Sequence, residues 1–178
     1  TTIKNNAEAW KLLGDCYVAH KHTKMALQAY QNSYTINPQL DVALSQLKLL
    51  KPYKDKVKLY EVYSQIIGLD SNHREAGLAL SLREYYYKNY ENAACLFTYV
   101  VKHTRNKIDI WEKYGHSLFE VKRIPEAITA YSNALTLASK NPVLTLILAK
   151  SYMQPGKRDQ APTLPLKRLQ TDSKPHNT

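Results

Sequence analysis

Glycine is scarce in this chain, five among 178 residues, and cysteine is scarcer still, with two. So few glycines leave little material for the tight hairpin turns of a mixed or β-rich fold, whereas alanine, leucine, lysine and tyrosine favour helix. An all-α chain is the expectation, and 44% apolar residues suffice to bury a continuous core. Cys16 and Cys95 have no CxxC partner, which excludes a disulfide scaffold or a zinc ribbon. Each falls in a helical pattern beside apolar neighbours and reads as a buried free thiol, a usage that leans towards a reducing, cytoplasmic compartment. No run of 18 or more uncharged apolar residues is present, nor a charged-then-apolar leader with a small-residue cleavage site, so neither a membrane span nor a signal peptide is visible. The chain begins at Thr1 and enters helical pattern almost at once, which suggests a segment of a longer chain or a processed product.

The signatures of catalysis are missing as well. There is no Gly-rich phosphate loop, no HExxH and no Gly-x-Ser-x-Gly elbow. His20 and His22 lack a nearby cysteine or an acidic ligand set and read as solvated turn residues. His73, His103 and His176 fall near segment boundaries, where capping or exposure explains them. The sequence therefore implies no enzyme, no catalytic residue, no metal site and no cofactor.

What is present is repetition. Trp10 and Trp111, Gly14 and Gly115, Ala26 and Ala127, Ala29 and Ala130, Tyr30 and Tyr131, and Asn32 and Asn133 are all 101 residues apart, one short of three periods of about 34. An offset of 67 carries Ala9 onto Ala76, Leu13 onto Leu80, Ala26 onto Ala93 and Tyr30 onto Phe97. Between these copies Leu44, Leu47, Tyr60 and Tyr63 keep the apolar rhythm without the small residues. The small residues have a physical reason. Two antiparallel amphipathic helices need one where their axes approach, and Gly14, Ala26, Ala93, Gly115 and Ala127 supply it. Trp10, Leu13, Tyr17 and Tyr30 fill the space around the crossing. A single hairpin cannot bury such a face, but a stack can. Asn37-Pro38, Asp70-Ser71-Asn72 and Asn141-Pro142 place capping residues at the expected boundaries.

The segment Trp10-Lys11-Leu12-Leu13-Gly14-Asp15-Cys16-Tyr17, with Ala26, Tyr30 and Pro38, resembles the tetratricopeptide repeat. Trp111, Tyr114-Gly115, Ala127 and Tyr131 repeat the pattern well, and Leu80-Ser81, Ala93 and Phe97 acceptably. The resemblance covers residues 7 to about 175 and implies an all-α, right-handed helical-hairpin solenoid of about five repeats in a single domain over 1–178. The repeats are 7–40, 41–73, 74–107, 108–141 and 142–175, the second divergent and the fifth degraded by prolines. In that fifth repeat Leu148-Ala149 and Tyr152 make a first helix and Pro155-Gly156 a turn. Pro162 opens the second helix, Pro165 shortens it, and residues beyond 170 fray.

In this family the first helices of successive repeats line a groove that takes up a peptide or a partner helix, so the resemblance implies a protein-interaction scaffold. The residues opposite the packing stripe recur at i and i+4: Lys11, Asp15 and Val18, then Leu78, Leu82, Tyr85 and Tyr86, then Glu112, His116 and Phe119, with Met153 continuing the row. The row is polar at its N-terminal end and aromatic further on, which suits an apolar anchor residue, and His116 adds a donor sensitive to mild acid. Members of the family that grip the acidic C-terminal tail of heat-shock chaperones do so with lysines, asparagines and an arginine. Here Asp15, Glu75 and Ala79 stand at such positions, so that partner is rejected.

A second expectation follows from charge. The net charge is +10 and the pI about 9.5, with Lys48, Lys51, Lys54, Lys56 and Lys58 crowding one repeat and Lys157, Arg158, Lys167, Arg168 and Lys174 the last. Such a surface attracts nucleic acid or another polyanion with strong salt dependence. No dedicated nucleic-acid motif accompanies it, however, and Tyr85, Tyr86 and Tyr87 sit at core-like spacing. A narrower similarity, over Ile3 to Tyr17 and Ile66 to Phe97, is to the tetratricopeptide modules of bacterial cytochrome c maturation factors and would make the chain periplasmic. Neither end carries a polar capping face, so an exposed apolar end and association through it are expected.

Overall fold

In the computed structural model residues 6–104, 107–138 and 141–153 are described, and every extended regular element among them is helical. Six helices lie in a first compact unit, residues 1–105: α1 (Ala7–Ala19), α2 (Thr23–Ile36), α3 (Leu40–Leu50), α4 (Lys56–Leu69), α5 (Arg74–Tyr86) and α6 (Tyr90–His103). A 3-10 turn (Lys51–Tyr53) extends α3. The second unit, residues 106–178, holds α7 (Ile108–Glu120), α8 (Ile124–Leu137) and α9 (Pro142–Tyr152). Within each unit consecutive helices pack against one another. The fold is the all-α helical-hairpin repeat expected from the sequence.

The hairpins close where the sequence places its smallest residues. A Cβ added to Gly14 would stand 2.6 Å from Tyr30 Cε1, and one added to Gly115 would stand 2.8 Å from Tyr131 Cδ1. The two glycines are therefore the seats on which buried tyrosine rings of α2 and α8 rest. Ser33 Oγ donates to the Ala7 carbonyl at 2.8 Å, tying the end of α2 to the start of α1 and fixing the antiparallel sense. The core of the first unit gathers Ala43, Leu47, Leu50, Val62, Ile66 and Leu80, beside a cluster of Ala26, Tyr30 and Val42. Leu118, Ala127, Tyr131, Leu144 and Leu148 are buried in the second unit. Each such leucine or isoleucine contributes about 1.5–3 kcal/mol by leaving water.

The turns inside the hairpins repeat atom for atom. After α1, Lys21 N–H bonds the Val18 carbonyl and His22 N–H the Tyr17 carbonyl; after α5, Lys88 bonds Tyr85 and Asn89 bonds Glu84; after α7, Lys122 bonds Phe119 and Arg123 bonds Leu118. This doubly bonded helix end requires a left-handed residue in its middle. Lys21, Lys88 and Lys122 adopt it at φ of 60°, 62° and 64°, and Lys54, after the 3-10 turn, at 53°. At all four turns, then, a lysine occupies a conformation that favours glycine.

Between hairpins the capping differs from expectation in detail. Asn141 caps α9 by accepting from Val143 and Leu144 N–H, with Pro142 following. At the 70–73 boundary the capping side chain is His73, whose Nδ1 faces Ala76 N–H at 3.3 Å, while Asp70 accepts from Asn72 N–H. Asn37-Pro38 caps nothing with a side chain: α3 starts after Gln39, which makes no such bond. Both cysteines, expected to be buried, are exposed. Apolar neighbours in sequence are not neighbours on a helix face, and Cys16 and Cys95 point outward between buried residues such as Gly14 and Phe97. The turn and second helix expected over 155–175, with the basic residues there, lie outside the described residues. No described helix is long and apolar enough to cross a membrane.

Candidate partner-binding site

The candidate groove residues occupy equivalent positions on α1, α5 and α7, and the structure separates those available to a partner from those already engaged. On α1, Lys11 Nζ pairs with Asp41 Oδ2 of α3 at 2.5 Å. The Asp41 bond and charge raise the Lys11 pKa, and the same bond holds the Asp41 carboxyl below its ordinary range. Asp15 accepts a 2.6 Å hydrogen bond from the Tyr30 hydroxyl, so it clamps α1 to α2. Burial first, then this bond, push the Tyr30 phenol up to about 12. Val18 is exposed.

On α5, Leu78, Leu82 and Tyr85 are half-buried, while Tyr86 is 70% exposed. The Tyr85 ring meets Tyr86 and Tyr90 edge-on, with centroids at 5.5 and 6.0 Å. In the second unit Glu112, His116 and Phe119 are half-buried on α7. His116 Nε2 lies 3.8 Å from Glu120 Oε1, and Lys122 Nζ lies 6.0 Å from the Phe119 ring centroid. Met153, just past α9, is 70% exposed and extends an apolar ridge with Val143 and Leu146. Sequence reasoning missed the other two members, whose spacing from Met153 is helical.

Glu75 is committed elsewhere. It accepts from Lys51 Nζ at 2.7 Å and from the Tyr63 hydroxyl at 3.0 Å. Burial opposes its ionisation, but those two bonds outweigh burial and leave its pKa lowered. Tyr63, buried and bonded to Glu75, is pushed up to about 12. The lysine cluster of the second hairpin is thereby thinned: Lys51 is paired with Glu75, and Lys58 lies 3.7 Å from Asp55.

Sequence reasoning also missed an open cleft of about 640 Å³ between α4 and α5, lined by Lys56, Val57, Tyr60, Glu61, Ser64, Arg83, Tyr86 and Tyr87. Its signal was legible. Three consecutive tyrosines, at about 100° of helical rotation apiece, cannot share one packing face. Tyr86 and Tyr87 are in fact exposed, against the core-like spacing expected of them. Among the described residues no group of three or more His, Cys, Asp or Glu is placed to hold a metal ion.

These elements define an all-helical repeat protein. Solved structures of MamA proteins are similar in fold. MamA AMB-1 matches with a TM-score of 0.56 at 19% identity, covering 89% of this chain and 86% of that one. MamA MSR-1 matches at 0.53 and 19%, covering 89% and 91%. No protein-family model and no curated protein matches the chain.

Proposed function

We propose that this protein is a tetratricopeptide-repeat scaffold that holds a peptide or helix of a partner protein within a larger complex, and that its repeats run as the five segments set out above. The observation that carries the reading is the equivalence of Val18, Tyr85 and Phe119. They stand at the same place in three hairpins whose turns are bonded identically, each one residue from the C-terminal end of its first helix. Half-exposed apolar groups at repeat spacing suit anchor residues of an extended or helical ligand. In the first unit the ligand-facing residues are Val18, Leu78, Leu82 and Tyr85, bounded by Lys11. In the second they are Glu112, His116, Phe119 and Met153. Asp15 serves the fold through Tyr30 rather than the ligand. The similarity to MamA structures supports the fold on which this reading stands.

Binding of nucleic acid across the basic surface is the lesser reading, since Lys51 and Lys58 already face carboxylates. Photo-crosslinking decides between faces. A photoreactive phenylalanine at Phe119 or Leu82 is expected to capture one protein band from native extract, and the same probe at the exposed Gln28 of α2 none. Equal capture at all three positions would refute the assignment.

A further inference from the structure

The cleft between α4 and α5 is lined by an arginine that lies between two tyrosine rings and solvent. The Arg83 guanidinium carbon sits 5.1 Å from the centroid of Tyr60 and 5.9 Å from that of Tyr87. Aromatic rings at this distance favour the cation electrostatically, and its planar N–H fork suits a carboxylate or phosphate. The carboxylate in ion-pair range, Glu84, lies 3.9 Å from Nη1, beyond hydrogen-bond length, and its other oxygen accepts from Asn89 Nδ2 at 2.9 Å. The apolar part of the wall is open to solvent: Val57 is 70% exposed, Tyr86 70% and Tyr87 71%.

The two turns flanking the cleft carry Lys54 and Lys88, both at positive φ. A non-glycine residue there costs about 1 kcal/mol, so lysine supplies charge at a position where geometry favours glycine. Among the described residues neither Lys54, Lys56 nor Lys88 has a carboxylate within ion-pair distance. Lys56 lies on the wall itself.

We propose that this cleft binds an acidic peptide segment of a partner protein, with a carboxylate held in the Arg83 fork and an apolar or aromatic side chain of the same segment against Val57, Tyr60 and Tyr86. The segment's remaining acidic residues face Lys54, Lys56 and Lys88. Glu61 on the wall disfavours a nucleic-acid strand, whose phosphate charge is continuous, whereas a peptide can place an uncharged residue and its N–H beside Glu61. The site takes Tyr86 from the row read in the sequence but none of the residues proposed above to face the ligand, and its failure would leave those untouched.

The test is fluorescence anisotropy on the full chain with a labelled peptide in which one tryptophan is flanked by glutamates. Controls are the glutamine version of the peptide and an oligouridine RNA of similar length. The wild type is expected to bind the acidic peptide saturably below about 100 µM. The glutamine version is expected to bind at least about fivefold more weakly. Arg83→Lys, which keeps the charge but loses the fork, is expected to weaken binding at least about fivefold. Lys88→Gly is expected to weaken it while raising the melting temperature, a combination that a merely structural role of Lys88 would not produce. Gln28→Ala, on the exposed face of α2, is expected to bind as the wild type does. Wild-type affinity in both Arg83→Lys and Lys88→Gly would overturn the assignment. So would the absence of saturable peptide binding, or RNA binding more tightly than the peptide and weakening with the same substitutions.

Discussion

Two glycines in equivalent helices and a third elsewhere show how differently one residue type is used. At Gly115 an added methyl group collides with the buried Tyr131 ring at 2.8 Å. Gly115→Ala is therefore expected to cost about 1–3 kcal/mol, the range for overpacking a filled core. At Gly68, inside α4, nothing lies within 4 Å, so Gly68→Ala is expected to stabilise by about 0.5–1 kcal/mol. Urea titration of the two variants reads both signs. Lys88→Gly, which relieves a left-handed lysine, is expected to stabilise by about 0.5–1 kcal/mol on the same assay. The buried tyrosines set the alkaline limit. Tyr30 and Tyr63 have pKa values raised from the ordinary 10.0 to about 12. A phenol that holds its proton more tightly in the folded state contributes stability that is complete below about pH 10 and is lost as pH rises through about 12. Tyr30→Phe combined with Tyr63→Phe should flatten the fall in melting temperature between pH 10 and pH 12; an unchanged fall would place the alkaline limit elsewhere. Gly14 and Gly115 were legible in the sequence because the tyrosines that sit on them recur with them. The exposure of Cys16 and Cys95 was not, since it depends on where each lies around its helix.

At the scale of elements, the hairpins were legible and the irregularities were not. The 101-residue repeat set the pairing of α7 with α8 and of α1 with α2 because small and bulky residues alternate at helical spacing in both copies. The divergent second hairpin is held by other means. Glu75 at the start of α5 bonds Lys51 after α3 and Tyr63 of α4, a three-way tie between helices that no periodicity announces. Burial raises the Glu75 pKa, but the two bonds and the nearby positive charge outweigh it, so its net value lies below the ordinary 4.5. Such a carboxylate contributes stability present above the unfolded pKa and lost as pH falls through its depressed folded value. Glu75→Gln is therefore expected to lose less stability than the wild type when urea titrations are carried from pH 6 towards pH 3; parallel losses would show that the tie contributes nothing. The cleft on α4 and α5 stayed hidden for a related reason. It is made by two helices from different hairpins, and the repeat pattern describes only what is shared within one.

The whole chain carries ten more positive than negative charges, and that excess makes salt the variable which separates the two readings of its surface. Contacts made through lysine to a polyanion weaken steeply as salt rises, whereas an apolar anchor seated against Val18, Tyr85 or Phe119 is little affected. The all-α repeat architecture could be read from composition and period alone. The partners of individual polar side chains could not be, since Lys11 bonds Asp41 of α3 and Asp15 accepts from Tyr30 of α2. The most direct measurement is a pull-down from nuclease-treated native extract at about 150 and about 500 mM salt, comparing the wild type with the Leu82→Ala, Phe119→Ala double variant. The account predicts a defined protein partner that the wild type retains at the higher salt and the double variant loses. Bound material that vanishes with nuclease or salt and is indifferent to the two substitutions would contradict it.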